Sequence, residues 1–595
     1  MQWIEFAGSA RTDRGFSLLM VMFFIGMGFL LMTGVLRYSG ASSTATERYN
    51  EYYTTLAAAE AATEKVVSQV SGRFQNLGVS GVDSALANFG NAYPEGSDLA
   101  WVGWADEWGG YEFMNPLGGN NSTYVAKLSN EQYTNSLNWK YSGFGGYAAS
   151  YRIVSNARRA ASGNNIIAAV RQDVQVASVP LFEFGVFYAL EMEINPSQNM
   201  TLTGRVHCNT NIYCTPSSPT VVTFAGDVTS AHKILRQPNP NDTVTRTPPF
   251  NVNFLGAQDW KIASLKLPIG STNAPTVLAP NTPSVLREII EIPPASELRG
   301  SLLGQQRYYN KADLIIIVTN GAVIATGNAY NAFAPVDWNV VSNFVNTNVF
   351  YVSGGATNLP RNLRENKELR LTEIDIEELV SRFEPQLRTI LSRYPTNIYV
   401  ADLRTNPANV QSGVRLKKGR LLPPTGLTIA TLNPLYVQGH YNAPLLATTN
   451  TSFSTPASLI ADAITILSDN WQDANSSNPS LAARPATDTT INAAIMAGIV
   501  PSDGDYYSGG VENFLRLLED WGGDTLTFNG SIVALYKSRI AIGPWGASGV
   551  VYSPPIRRYA FDENFKDPAK LPSGTPLLRT VIRQEWVITQ ANSSL

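Results

Sequence analysis

At 595 residues the chain exceeds what one compact core usually holds, so about two to four domains are expected. Charged residues make up only 15% and aromatics 10%, with Gly, Pro, Asn, Ser and Thr abundant, the composition of an ordered, β-rich protein. A formal net charge of -3 provides no basic footprint and argues against nucleic acid as a partner. Three histidines leave little material for a histidine-based metal site, and two cysteines allow at most one internal disulfide.

The first element is an apolar run. Between Gly15 and Leu36 no residue is charged, and Val21, Met22, Phe23, Phe24 and Ile25 follow one another. As a helix these 22 residues rise roughly 33 Å, enough to cross a hydrocarbon core of about 30 Å. The run exceeds the h-region of about 7–15 residues of a cleaved secretory signal. No cysteine follows it for lipid attachment. Arg11 and Arg14 precede it and Arg37 follows, so the positive-inside rule leans to a cytoplasmic N-terminus with the bulk of the chain outside.

The periodicity then continues. Ala45, Tyr49, Tyr52, Leu56, Ala59, Thr63, Val66 and Val70 alternate four- and three-residue steps, while Glu47, Arg48, Glu51, Glu60, Glu64 and Lys65 lie off that stripe. No Pro or Gly interrupts residues 41–71. This predicts one helix of about 55 residues, half apolar all round and half amphipathic. Ala and Thr within the stripe would make a poor coiled-coil seam.

A short polar leader ending in Gly15, followed by Phe16-Ser17-Leu18-Leu19 and an apolar helix, resembles a type IV prepilin. The later "LAAAEAATEKV" resembles a segment of PilX-type minor pilins and of the K-type pseudopilins of type II secretion. The resemblance covers about residues 11–72. It implies cleavage after Gly15 by a prepilin peptidase and methylation of the new N-terminus at Phe16. It also implies a membrane helix on which Phe16, Leu18, Leu19, Met20, Phe23, Phe24, Leu30 and Leu36 face lipid or like helices. One departure bears on role. Major pilins carry a glutamate at the fifth mature position, where this chain has Met20, and K-type pseudopilins at fibre tips also lack it.

Beyond the helix, residues 73–150 read as loops with short strands. From "ASYRIVSNARRA" through "NNIIAAVRQDVQVASV" alternation predicts half-buried antiparallel strands, and "PLFEFGVFYALEMEI" a more apolar strand pair. Between Arg205 and Thr229 short β-favouring runs are separated by Gly- and Asn-containing corners, which suits either a hairpin meander or a parallel β-helix. Similar apolar cores return after residue 411 at intervals of some 20–35 residues. The wording "NPLYVQGHYN" is similar to that of exported proteins that join a PilX-like N-terminus to a solenoid-like β domain. Residues 286–410 differ: a strand, an Asn320-Gly321 turn, a second strand, an amphipathic helix from Ile376 and the strand "NIYVADL" predict an α/β insertion.

Candidate chemistry is sparse. Cys208 and Cys214 are spaced to form a disulfide, two free buried thiols, or with His207 part of a metal site that lacks a fourth ligand. Acidic clusters stand at Glu373/Asp375/Glu377/Glu378, read as a solvated helix N-terminus, and at Asp503/Asp505 in a loop. Trp101, Trp104, Trp108, Tyr111 and Trp545 are candidates for a carbohydrate- or protein-binding platform, and "GGVENFLRLLEDWGGD" reads as a short amphipathic helix. No nucleophile elbow, zinc-protease, Walker A or Rossmann motif is present.

The expected fold class is mainly β with a long N-terminal α-helix, a parallel β-helix or solenoid-like body and an α/β insertion. Its divisions are a 1–15 leader, a 16–72 helix, a 73–200 irregular and antiparallel region, a 201–285 solenoid-like part, the 286–410 insertion, and a 411–595 solenoid-like part whose end wraps the body. The expected function is a non-enzymatic, pilin-like envelope protein without cofactor or metal. It would sit in the inner membrane in a single pass and meet a prepilin peptidase and other pilin-like subunits. The alternative is a membrane-anchored surface protein whose β-helix binds or cleaves a glycan or other surface ligand.

Overall fold

The computed structural model describes residues 14–98, 107–138, 141–161, 163–270, 285–329, 332–391 and 395–590. Helix α1 spans Arg14–Asp83, 70 residues, longer than the periodicity predicts. Side-chain spacing alone ends it near residue 72, because Gly78 and Gly81 punctuate the next ten residues. Packing overrides them: Phe74, Val79 and Val82 are buried, and only Gly78 departs from helical geometry (φ 69°).

From Leu56 onward α1 lies on an antiparallel sheet. Its central strands, Gly146–Arg159 and Ile167–Pro180, pair along their length from Tyr147↔Ser178 to Arg158↔Ile167, as alternation predicts. Val66, Val67, Val70 and Phe74 pack against Ala149, Tyr151, Ile153, Val174 and Val176. Nearer the N-terminus, Leu56, Ala58, Ala59 and Ala62 meet Phe113, Ala157, Ala168 and Val170. Small residues in the stripe, poor for a zipper, let the helix approach a sheet closely. The C-terminal strand Leu577–Thr589 pairs antiparallel with Ile167–Pro180. It therefore completes the sheet beneath α1.

The body beyond residue 180 is dominated by parallel strands. Between residues 192 and 260 three successive passes of the chain each supply one strand to three sheets. Met192–Ile194, Ile212–Cys214 and Ile234–Leu235 form the first. Met200–Leu202, Val221–Phe224 and Asn251–Phe254 form the second. Arg205–Cys208, Val228–Ser230 and Gln258–Trp260 extend a 13-stranded mixed sheet. Every one of these pairings is parallel, which replaces the hairpin-meander alternative. The strand pair read in "PLFEFGVFYALEMEI" is also corrected. Phe184–Tyr188 joins the 13-stranded sheet, whereas Met192–Ile194 lies in another.

Register explains the core. Across the large sheet Leu314, Ile398, Ile429, Leu459, Ile495, Ile532, Val186, Val206 and Val228 stand opposite one another in sequence of strands, and all are at most 2% exposed. A second row, Ile374, Leu416, Val437, Ile466 and Leu517, runs across the seven-stranded sheet. Such rows bury aliphatic side chains across successive paired strands. An asparagine ladder accompanies them: Asn529 Nδ2 donates to Asn492 Oδ1 (2.8 Å), and Asn492 Nδ2 to the Asn442 carbonyl (2.9 Å).

The 286–410 segment has the predicted parts, with Leu314–Val318 and Val323–Ala329 antiparallel and a helix at Ile376–Leu391. Its strands Leu314–Val318 and Asn397–Asp402 nevertheless continue the large sheet in parallel with Leu427–Thr431. In "GGVENFLRLLEDWGGD" the expected helix is replaced by a single 3-10 turn, Val511–Asn513, and the short strand Arg516–Leu517. Glu512 is buried there, and Arg516 pairs with Glu365 at 2.7 Å.

Candidate functional site

Residues 16–50 of α1 stand clear of the sheet. The sheet ends where Asn164, in the turn between its central strands, donates to Glu51 Oε2 at 2.8 Å. Above that point about 35 residues, roughly 50 Å of helix, have no covering layer among the described residues. Phe16 is 67% exposed and Leu30 76%, and Leu18, Leu19, Met20, Phe23, Phe24 and Leu36 are exposed as well. Among the described residues this is the one helix long and apolar enough to cross a membrane. Leaving so much apolar side-chain area in water is unfavourable by about 25 cal/mol per Å². A lipid or protein environment removes that cost. Gly15 lies at the start of α1, and residues 1–13 of the leader lie outside the described residues. Ala45 and Tyr49, at the top of the predicted stripe, are also exposed, so the stripe is used within the chain only from Tyr52 downward.

The lower half of α1 is held by polar contacts as well as by packing. Arg583 on the C-terminal strand pairs with Glu64, its Nη2 reaching Oε2 at 2.7 Å. Arg579 Nη1 donates to the carbonyls of Phe74 (3.1 Å) and Gln75 (2.9 Å) beside the Gly78 kink, and Gln75 Nε2 returns a bond to the Arg579 carbonyl (2.8 Å). Lys127 and Tyr151 both reach Asp83, at 2.7 and 2.8 Å. Sequence reasoning missed the partnership of residues 64–78 with 579–583, because its two halves lie some 500 positions apart.

No family profile and no curated protein matches the chain. Among solved structures it is similar to the competence-associated pilin ComZ from Thermus thermophilus. The likeness covers 78% of this chain and 88% of that one, with a TM-score of 0.26 and 10% identity. At that level the overlap does not establish a shared fold.

The other candidates resolve into structure. Cys208 and Cys214 are free, buried thiols on strands of different sheets. Cys208 Sγ lies 3.2 and 3.3 Å from the carbonyl oxygens of Leu190 and Asn211, either of which can take its one hydrogen, and burial pushes its pKa up to about 11; burial raises that of Cys214 too. Neither thiol is expected to react with a maleimide at pH 7 until the chain is denatured, when both should; mass spectrometry before and after urea checks this. His207 is engaged at both ring nitrogens, by Thr229 (2.8 Å) and Asn209 (3.0 Å), and burial lowers its pKa to about 4.

Glu373 is not a solvated acid: buried, it is paired with Arg415 (2.5 Å) and Lys417 (2.6 Å). Asp375 accepts from the Glu378 amide and meets Lys418. Asp503 caps its own loop through the Asp505 and Tyr506 amides. Of the aromatic platform, Trp108 and Tyr111 pack on the α1 cluster, Trp545 meets Tyr507, and Trp101 and Trp104 lie outside the described residues.

Burial also raises three carboxyls, Glu183, Glu193 and Glu519, to about 7. Glu193 Oε1 accepts from Ser502 at 2.8 Å, while Oε2 is buried without a partner. A folded value above the free 4.5 means its stabilising contribution is complete below pH 4.5 and lost as pH rises through about 7. Urea midpoints of the wild type should therefore fall between pH 5 and 8, and those of Glu193→Gln should fall less.

Proposed function

We propose that this chain is a non-enzymatic, pilin-like cell-envelope protein, a minor or tip subunit of a type IV pilus or of a type II secretion-like filament. One observation carries the reading. A single helix projects an apolar half free of the body and lays its amphipathic half on an antiparallel sheet. That division suits a subunit held in the inner membrane by residues 16–36 and later transferred into a bundle of like helices. Gly15–Phe16 is the proposed cut for a prepilin peptidase. Met20 in place of a glutamate removes a carboxylate from the N-terminal stretch and favours a position at a fibre end. The parallel, in-register rows support reading the body as a solenoid-like domain displayed outward, bulky for a repeating shaft.

A photoreactive side chain placed at Phe24 tests the assembly part. Adducts with other pilin-like subunits in intact cells are expected. Adducts with lipid alone would reduce the protein to a plain membrane anchor.

A further inference from the structure

The helix-bearing sheet passes into the parallel body through one short turn. Strand Ile167–Pro180 ends, the 3-10 turn Leu181–Glu183 follows, and Phe184–Tyr188 begins the body. Glu183 closes that turn, 3% exposed, where three stretches of chain meet. From the sheet, the Gly145 amide donates to its Oε2 at 2.8 Å, and the Tyr133 hydroxyl on strand Gln132–Thr134 lies 3.2 Å from its Oε1. From the C-terminal part of the body, the Lys566 carbonyl at the end of the 3-10 turn Glu563–Lys566 lies 3.0 Å from the same hydroxyl. Only glycine fits at position 145: a Cβ there would collide with the Tyr133 hydroxyl and stand 2.7 Å from Glu183 Oε1.

The hydrogen count decides how this cluster behaves. A tyrosine hydroxyl has one hydrogen, and Tyr133 faces two acceptors with it. When Glu183 is protonated, its carboxyl hydrogen goes to the Tyr133 oxygen and the Tyr133 hydrogen goes to the Lys566 carbonyl. Every partner is then satisfied. When Glu183 is ionised, it has no hydrogen to give and, as the stronger acceptor, takes that of Tyr133. The Lys566 carbonyl loses its donor, and the turn loses its tie to the sheet.

The charges around the carboxyl do not hold it ionised. Arg205 divides its guanidinium between the Ser142 carbonyl and Asp227 (3.3 Å), and Lys566 pairs with Glu563 at 2.5 Å. His207, opposite Phe187 on the next strand, is engaged at both ring nitrogens, and burial lowers its pKa to about 4. Tyr147 and Asp567 face Tyr133 and, with burial and Glu183 itself, oppose its ionisation. Burial outweighs the Gly145 and Tyr133 hydrogen bonds and the attraction of Arg205 and Lys566, and pushes the Glu183 carboxyl up to about 7. Because that value exceeds the free 4.5, the stabilising contribution is complete below pH 4.5 and lost as pH rises through about 7.

We propose that Glu183 is a proton-controlled switch in the joint between the helix-bearing sheet and the body. Its neutral carboxyl leaves the Tyr133 hydrogen to the Lys566 carbonyl and ties the 563–566 turn to the sheet. Its carboxylate withdraws that hydrogen and frees the turn. Phe561 and Phe565 stay packed in the shared core, so the joint loosens locally and does not come apart. The switch is independent of membrane attachment and of leader processing.

Hydrogen exchange on the full chain in detergent, at about pH 5.5 and 8 with intrinsic rates factored out, tests this over residues 563–570. The amides of Phe565, Asp567 and Lys570 are bonded within that region and report on it. Wild-type protection is expected to fall about fivefold at the higher pH, the effect of one hydrogen bond. Glu183→Gln, whose amide donates to Tyr133 at either pH, should keep its protection at both, and Tyr133→Phe should lack it at both. Glu193→Gln and Glu519→Gln, which alter the other two carboxyls raised to about 7, should leave the response of 563–570 intact. Equal wild-type protection at the two pH values, or a pH-dependent fall retained in Glu183→Gln or Tyr133→Phe, would overturn the proposal.

Discussion

Phe74→Ala is expected to destabilise the docking of α1 on its sheet by about 3–5 kcal/mol. The ring is fully buried among Val70, Tyr151, Val174 and Val176, and the Arg579 guanidinium lies 5.7 Å from its centroid. Removing it opens a cavity between two rigid layers, neither of which can collapse freely, because the antiparallel pair beneath is fully registered. The same change loosens the turn before Gly78, where Arg579 reads the Phe74 and Gln75 carbonyls. Hydrogen exchange in detergent should show faster exchange over residues 56–83 in the variant, with the parallel body unchanged. Equal loss of protection in both regions would mean that the helix and body unfold as one unit.

The second large effect concerns the parallel body. Asp462→Ala should cost about 3–5 kcal/mol, because it breaks a buried ion pair with Arg287 and removes the acceptor of three backbone amides. Asp462 is fully buried and accepts from Arg287 Nη2 (2.8 Å) and from the amides of Arg539 (2.7 Å), Ile540 (3.0 Å) and Ala541 (2.7 Å). Arg287, 4% exposed, also reaches the Leu432 carbonyl at 3.0 Å. One carboxylate thus joins three separate stretches of chain, and its loss leaves three amides without their acceptor and Arg287 with Glu291 as its remaining ion-pair partner. Chemical denaturation should show a lower midpoint with an unchanged slope. The double variant Asp462→Ala with Arg287→Met, which removes both members of the pair, should recover only the part of the loss that comes from breaking it, since the three amides stay without their acceptor.

Much of the N-terminal half was legible because a helix writes its period locally. The apolar run and the stripe from Tyr52 to Val70 follow directly from side-chain spacing, and the alternation around Ile167 identifies a half-buried strand. Local signals failed where distant segments meet. Phe184–Tyr188 pairs with Thr525–Lys537 across some 350 residues, joining the two parts that corner spacing suggested as separate. The strand Leu577–Thr589 reads as β from its own residues, yet nothing in it names Ile167–Pro180 as its partner. Val511, Phe514, Leu515 and Leu518 have helical spacing, but pairing of Arg516 and Leu517 with Thr465 and Ile466 decides their conformation.

In the proposed reading α1 begins a mature, membrane-held subunit at Phe16. Intact mass and terminal sequencing of the protein purified from membranes test it most directly. The expected chain starts at Phe16 with a methylated amine, and the Gly15→Ala protein keeps its leader and runs larger. A wild-type chain that retains the leader, or one cut beyond Leu36, would contradict it.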